Sequence, residues 1–473
     1  MSQRISLTTT LPYVNSDPHV GHALEFVQAD IVARYHRLMG DEVFFNTGTD
    51  EHGIKIYRKA EEVGKDVQAY VDEYAARFGL LKEKLDLSYD AFIRTTDPKH
   101  ISAAQEFWRR CEANGDIYKK EYTVKYCIGC ELEKTDSELV DDRCPIHPTT
   151  PIELIAEENY FFRFSKYQEP LLALYTKHPD FVVPVQRLNE IRSFVERGLQ
   201  DFSISRLKSK MPWGIEVPSD NDHVMYVWFD ALVNYISTLD WPDEKYAEWW
   251  PSVQFAGKDN LRQQSAMWQA MLMSAGVAPS KQIFIHGFIT SGGQKMSKSI
   301  GNVINPLDLV ATYGTDTLRY YLARHVHPFE DSDLTVERFH ERYTADLVNG
   351  LGNLVSRVMK LAETHLEKPI PQPDPVGLPE EYVYAIEHYE FNVAMDYIWK
   401  RIGDADERMT SEAPFKVVKT NLEEGKRIIH ELVLELYTIG LLLSPFMPAT
   451  STLIKETVLA NKKPETMFPR IEQ

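Results

Sequence analysis

Arg4 to Thr10 is a β-prone run, and it leads into a proline-bounded loop, Pro12-Tyr13-Val14-Asn15-Ser16-Asp17-Pro18. Beyond the loop, Leu24, Val27, Ile31, Tyr35 and Leu38 recur at helical spacing until Gly40 closes the pattern. Glu42 to Asn46 is a second strand. Strand, helix and strand at this length imply parallel pairing with a right-handed crossover. Such sheets bind ligands at the carboxyl ends of their strands. The segments expected to touch a ligand are therefore Pro12 to His22 and Thr47 to His52.

The pattern divides the chain into five stretches. Residues 1–113 form the first half of a parallel-sheet domain of the Rossmann type, and residues 114–207 are a connective insertion of short segments. The α/β character returns over residues 208–285, with Val224 to Trp228, Gln254 to Ala256 and Gln282 to His286 predicted as strands. A glycine-rich loop opens residues 286–337, and no strand signal remains after Asp331. Residues 338–473 alternate helical patterns with proline breaks, which predicts an α-helical bundle. The fold class is α/β with a helical C-terminal domain.

With 473 residues, 43% of them hydrophobic and 26% charged, the chain is long enough for about three cores and is excluded from disorder and from small disulfide-stapled modules. Lys and Arg number 52 against 70 Asp and Glu, a balance of −18, so bulk charge cannot recruit nucleic acid and any RNA contact needs a local basic stripe. The N-terminus lacks an apolar signal, and the longest apolar stretch, Leu432 to Met447, is broken by Glu435, Ser444 and Pro445. A cytoplasmic protein without a membrane segment is expected. Three of the four cysteines fall in Cys127-x2-Cys130-x13-Cys144-x2-His147. This pairwise spacing suits two knuckles holding a tetrahedral ion, predicting a structural zinc rather than free thiols or a disulfide. Cys111 lies outside the pattern and is expected to be a core thiol.

Two motifs carry phosphate chemistry. Pro18-His19-Val20-Gly21-His22 sits where a strand meets a helix N-terminus, and two imidazoles there can face an anion held by the helix dipole. Gly292-Gly293-Gln294-Lys295-Met296-Ser297-Lys298-Ser299 offers two lysines on a glycine-started loop. Either alone suits an ordinary solvated surface. Together, across an α/β domain, they resemble the HIGH and KMSKS signatures of the class I aminoacyl-tRNA synthetases. Leu11-Pro12-Tyr13-Val14-Asn15, Gly48-Thr49-Asp50-Glu51-His52-Gly53, Tyr226 to Ala231, Gly257-Lys258-Asp259 and Asn353 to Arg357 narrow the resemblance to the methionyl-tRNA synthetase family.

That resemblance implies a set of roles. Leu11, Tyr13, Trp228, Ala231 and Tyr235 would enclose a methionine side chain, and Asp50 would hold its α-ammonium group. His19, Gly21, His22, Lys295 and Lys298 would bind ATP phosphates with Mg2+, Asp259 the ribose, and Arg206 the activated carboxylate. Where the family commonly has an aliphatic residue and a histidine, this chain has Asn260 and Gln264, whose i, i+4 spacing puts both amides on one helix face, where they can bond each other or a substrate atom. Asn353, Arg357 and Phe415, the last replacing a usual tryptophan, would read and stack the anticodon of tRNA(Met). The insertion is too short for a separate editing domain, and no further domain after about Phe468 is expected, so a monomer is. The alternatives are a synthetase-like paralogue of different amino-acid specificity, a catalytically silent tRNA-binding scaffold, and a small-molecule nucleotidylyltransferase, which accounts for neither the knuckle nor the helical half.

Overall fold

Strands made of branched and aromatic residues with no polar alternation belong in a sheet covered on both faces. Such strands build the centre of the first of two units. In the computed structural model, which describes residues 2–134, 136–296, 301–367, 369–373 and 377–472, this unit comprises Met1–Pro18, Asp41–Leu81 and Tyr89–His286. Its six-stranded sheet has the order Ala91–Arg94, Glu42–Thr49, Arg4–Thr9, Val253–Gly257, Gln282–His286 and Val182–Val183. Every neighbouring pair is parallel. Leu7, Phe45, Phe255, Ile283 and Phe284 are buried in it. One face is covered by an aromatic cluster in which Phe107 stacks on Trp268 and Trp108 meets Phe229 edge-on.

The insertion is a long hairpin, Ile117–Cys127 against Glu153–Phe162, extended to four strands by Leu132–Lys134 and Phe202–Ser203. Within residues 114–207 the chain also returns to the main sheet. Val182–Val183 pairs with Gln282–His286, and helices Gln168–Lys177 and Val185–Glu196 put Tyr175, Ile191 and Val195 into the aromatic cluster. A two-residue strand carries no periodicity, so sequence patterning cannot find it. The strand expected over Val224 to Trp228 is instead Asp220–Met225, and helix Val227–Ala231 begins two residues later. Five residues are too few for a helical period to show among aromatics that also suit a strand.

The second unit contains His19–Gly40, Lys82–Ser88 and Gly287–Gln473. Helix Val20–Leu38 is buried along most of its length. A small sheet of Gln294–Lys295, Ile289–Ser291 and Ser332–Asp333 follows, so a strand does exist beyond Asp331, again too short to predict. Helices then predominate, among them Asn353–His365, Phe391–Ser411 and Leu422–Leu443. The turn before Asn353 is not α-helical: Tyr343–Gly352 winds as a π-helix.

A buried ion pair fastens this unit. Arg319 and Asp30 have fully buried side chains 2.8 Å apart. Arg319 also donates to the carbonyls of Phe446, Pro445 and Leu85 at 2.8, 2.9 and 3.0 Å. Asp30 accepts from Arg34 at 2.7 Å and from both the amide and the hydroxyl of Ser88 at 2.6 Å. Burial pushes the Asp30 carboxyl up, but Arg319, Arg34 and Ser88 outweigh it and hold the group below the usual carboxylate range. Arg319→Met removes the fully buried cation and leaves Asp30 with only the partly exposed Arg34 as counter-charge, so it should destabilise the chain by about 3–5 kcal/mol at neutral pH. A carboxyl depressed in the folded state contributes stability above its unfolded value of about 4 and loses it below, so the deficit should shrink as pH falls through that region. Urea titrations of both proteins at several pH values check this; a pH-independent deficit would contradict it.

Candidate active site and metal centre

The carboxyl end of strand Glu42–Thr49 presents Asp50, Glu51 and His52. Gly48 is required there because a Cβ would lie 1.8 Å from the Ile93 carbonyl oxygen. The Pro12–Val14 loop is stitched alongside: Asp50 donates its amide to Pro12 at 3.0 Å and accepts from the Val14 amide at 3.2 Å. This brings Tyr13 beside Asp50, with its ring edge-on to Trp228 at 6.0 Å. Leu11 and Trp228 are half-buried, while Ala231 and Tyr235 are buried.

Gln264 departs from the expected helix-face pair with Asn260. Gln263–Met267 winds as a π-helix, Gln264 is buried and Asn260 half-buried. The Gln264 amide donates to the Tyr235 hydroxyl at 2.8 Å and accepts from Gln254 at 3.4 Å. Gln254 in turn accepts from Ser280 at 2.6 Å. Leaving such an amide unpartnered would cost about 1–3 kcal/mol; here protein groups meet that need.

Beneath Asp50 lies a network that the sequence did not disclose. Asp230 receives His52 Nδ1 at 2.9 Å on one oxygen and His100 Nε2 at 3.3 Å on the other. His100 Nδ1 meets the Ser237 hydroxyl at 3.0 Å. Burial raises Asp230, and the two imidazoles outweigh it, holding the group below the usual carboxylate range. Asp50 is driven the other way, well above that range, by burial first and then by the charges of Asp230 and Glu131. His52 and Asp230 lay in noted tracts without a role, and nothing marked His100.

Arg206 is buried, donating to the Ser203 hydroxyl and the Ser205 carbonyl, both at 2.7 Å. It lies against the rings of Tyr126 and Tyr226 and lines a cavity of about 330 Å³ with Glu131, Glu157 and Lys210. Glu131 also caps the helix Ile54–Glu62, accepting from the Lys55 amide at 3.2 Å, and its carbonyl accepts from Tyr226. Asp259 is exposed on the turn Lys258–Asn260, directly after strand Val253–Gly257.

In the second unit, His19 and His22 close the helix start reciprocally. His19 Nδ1 accepts from the Gly21 amide at 3.1 Å, and His22 Nδ1 accepts from the His19 amide at 3.2 Å. Each Nδ1 is thus an acceptor, which assigns the ring proton to Nε2. The rings stack 3.8 Å apart, and a Cβ on Gly21 would come within 2.9 Å of the His19 ring. Burial, then the neighbouring His19, depresses His22 well below the ordinary imidazole value. The pair offers N–H donors without charge repulsion at a helix N-terminus free of acidic first-turn residues. The Val20 amide donates to the Ile304 carbonyl at 3.0 Å, which brings the chain following the lysine loop against the first histidine motif. Lys295 is exposed, with its ammonium over the Phe288 ring. Lys298 lies outside the described residues.

Cys127, Cys130, Cys144 and His147 converge with all ligand atoms within 4.8 Å of one another. Cys130 Sγ is 3.4 Å from Cys144 Sγ and 3.2 Å from His147 Nδ1. Gly129 admits the His147 ring, since a Cβ would sit 2.4 Å from it. Three thiolates and one imidazole in this space fit a closed tetrahedral zinc site. Cys111 is a buried core thiol, pushed up to about 12 by burial. Asn353 and Arg357 stand one turn apart on their helix, Asn353 exposed and Arg357 held by Asp406 at 2.6 Å. Phe415 is exposed on a separate helix, Pro414–Thr420. Among the described residues, no helix is long and apolar enough to cross a membrane.

The family model for tRNA synthetases class I (M) matches residues 5–147 and 129–359, which makes the chain a class I aminoacyl-tRNA synthetase by family and accounts for the parallel sheet and the histidine-capped helix start. The methionine–tRNA ligase of Thermosynechococcus vestitus is 47% identical over 390 residues, spanning 81% of this chain and 73% of that one. That of Thermotoga maritima is 39% identical over 97% of this chain and 76% of its own. Mycobacterium tuberculosis methionyl-tRNA synthetase bound by methionyl-adenylate superposes with a TM-score of 0.90 at 37% identity, covering 96% of this chain and 93% of that one. The chain belongs to the methionyl-tRNA synthetase family.

The metal site predicts one zinc per chain. Cobalt substitution should give the visible absorption of a tetrahedral site with three sulfur ligands and one nitrogen, and His147→Ala should lower zinc retention and the melting temperature together. Full zinc content in that variant after dialysis against a chelator would refute the ligand assignment.

Proposed function

We propose that the protein is an ATP-dependent methionine–tRNA ligase, which joins L-methionine to ATP as methionyl-adenylate and passes the methionyl group to tRNA(Met). The reading rests on one contact above all: the Val20–Ile304 bond, which ties the chain following the lysine loop to the start of the first histidine motif's helix. In the first step the methionine carboxylate attacks the α-phosphorus, a carboxyl–phosphorus bond forms, and pyrophosphate departs. No protein nucleophile is needed. His19 and His22 donate Nε2–H to phosphate oxygens, Lys295 and Lys298 balance the charge growing on pyrophosphate, and Mg2+ bound with ATP shares that charge. Asp259 holds the ribose and Arg206 orients the carboxylate. Asp50 pairs with the α-ammonium, while Leu11, Tyr13, Trp228, Ala231 and Tyr235 enclose the thioether. Gln264 serves this pocket indirectly, because its amide is engaged by Tyr235 and Gln254; Asn260 borders it.

In the second step the terminal 2′-hydroxyl of tRNA attacks the adenylate carbonyl and AMP leaves. Asn353 and Arg357 read anticodon base edges, and Phe415 stacks on a base. Zinc holds the knuckle and takes no part in bond making. A monomeric state and a cytoplasmic location complete the proposal.

Exchange of labelled pyrophosphate into ATP, run without tRNA and with each of the twenty amino acids, should respond to methionine alone. A response to a different amino acid would overturn the substrate, and none at all would favour the silent scaffold. Arg357→Ala should lower tRNA charging by roughly 10- to 100-fold, the cost of about 1–3 kcal/mol per base contact, and leave this exchange intact. Equal loss in both assays would contradict an anticodon role.

A further inference from the structure

Asp50, His52, Asp230 and His100 are each at most 5% exposed and form one connected set. The His52 amide reaches Asp50 at 3.4 Å, its ring reaches Asp230 at 2.9 Å, and His100 holds the other Asp230 oxygen at 3.3 Å. The donors are therefore unequally shared. Asp230 has an imidazole on each oxygen, whereas Asp50 is approached by one long amide contact among the described residues.

The surrounding charges do not redress this. Asp50 faces Asp230, Glu131 and Glu51, with the Tyr13 phenol beside it. Glu51 is already neutralised by Arg94, which donates to both its oxygens at 2.6 and 2.8 Å. Lys55 and Arg206 act on Glu131. Two buried acids with one set of donors do not both ionise cheaply, and the ionised one is the better-bonded Asp230.

We propose that amino-acid binding at Asp50 expels one proton, and that Asp230, anchored by His52 and His100, sets the pH range over which this exchange operates. The exchange balances: the Asp50 carboxyl gives its proton to solvent, and the resulting carboxylate pairs with the intact ammonium of the amino acid. The ligand thus supplies a cation directly facing Asp50, whose neighbours Asp230, Glu131 and Glu51 are all acidic. Asp230, His52 and His100 are positioning residues acting through Asp50. The inference rests on the assignment of Asp50 to the α-ammonium group.

Calorimetric titration of the full chain with L-methionine, in two buffers of equal pH and different ionisation enthalpy, counts the protons released. The wild type should release close to one below the Asp50 titration and progressively fewer above it, with affinity falling about tenfold per pH unit on the acid side. Asp230→Asn removes the repelling charge and should move that acid limb to lower pH. His100→Asn strips one donor from Asp230, leaves more of its charge acting on Asp50, and should move the limb to higher pH. Loosened packing would instead weaken both variants equally at every pH. The proposal is overturned if the wild type releases no proton at any pH between about 5 and 9, or if His100→Asn leaves the limb in place. Should Asp230→Asn not fold, the His100→Asn shift decides alone. Asp50→Asn separates the two levels: unchanged methionine affinity there refutes the ammonium assignment itself, while lost affinity with unshifted limbs in the other variants refutes only the proton exchange.

Discussion

Taking a charge out of water costs several kcal/mol unless partners are in place, and each unit of this protein is organised around a point where that requirement is met. In one unit, Asp230 draws an imidazole from the end of one strand and another from a helix 130 residues away in sequence, so its position depends on both elements. In the other, Arg319 ties three backbone carbonyls to Asp30 on the buried first helix. These groups are fixed more sharply than apolar contacts would fix them, because a small shift leaves a charge without a partner. The histidine cap at the start of the Val20–Leu38 helix inherits that rigidity from Asp30, which lies on the same helix.

How far the sequence could be read depended on the range of the signal. Strand Gln282–His286 and helix Val20–Leu38 are long enough for periodicity to show, and the spacing of Cys127, Cys130, Cys144 and His147 reports a local knuckle. Val182–Val183 and Ser332–Asp333 are too short to carry a pattern. The His52–Asp230–His100 network was hidden for a different reason. Its partners are 178 and 130 residues apart, and an isolated histidine on a helix gives no hint of the carboxylate opposite it. The π-wound turn at Gln263–Met267 likewise undid an i, i+4 argument that assumed α-helical geometry for Asn260 and Gln264.

Gln264 shows how a polar side chain can be buried among aromatic residues with its amide engaged. Its amide is bound at both ends by Tyr235 and Gln254, and the chain of bonds continues to Ser280 and Gln269. The amide's polarity is thus taken up within a hydrogen-bonded lattice.

Glu131 gives the metal knuckle a reach beyond its own fold. It follows a ligand cysteine, closes the first turn of the helix entered from His52 and Gly53, and receives the hydroxyl of Tyr226, the residue that precedes the Trp228 helix. A metal ion held by these ligands would in this sense be a foundation stone set outside the elements it supports. Loss of such an ion would then reach the Ile54–Glu62 helix and the Tyr226 turn together, so that a preparation assayed only for catalysis would register incomplete metallation as a defect elsewhere.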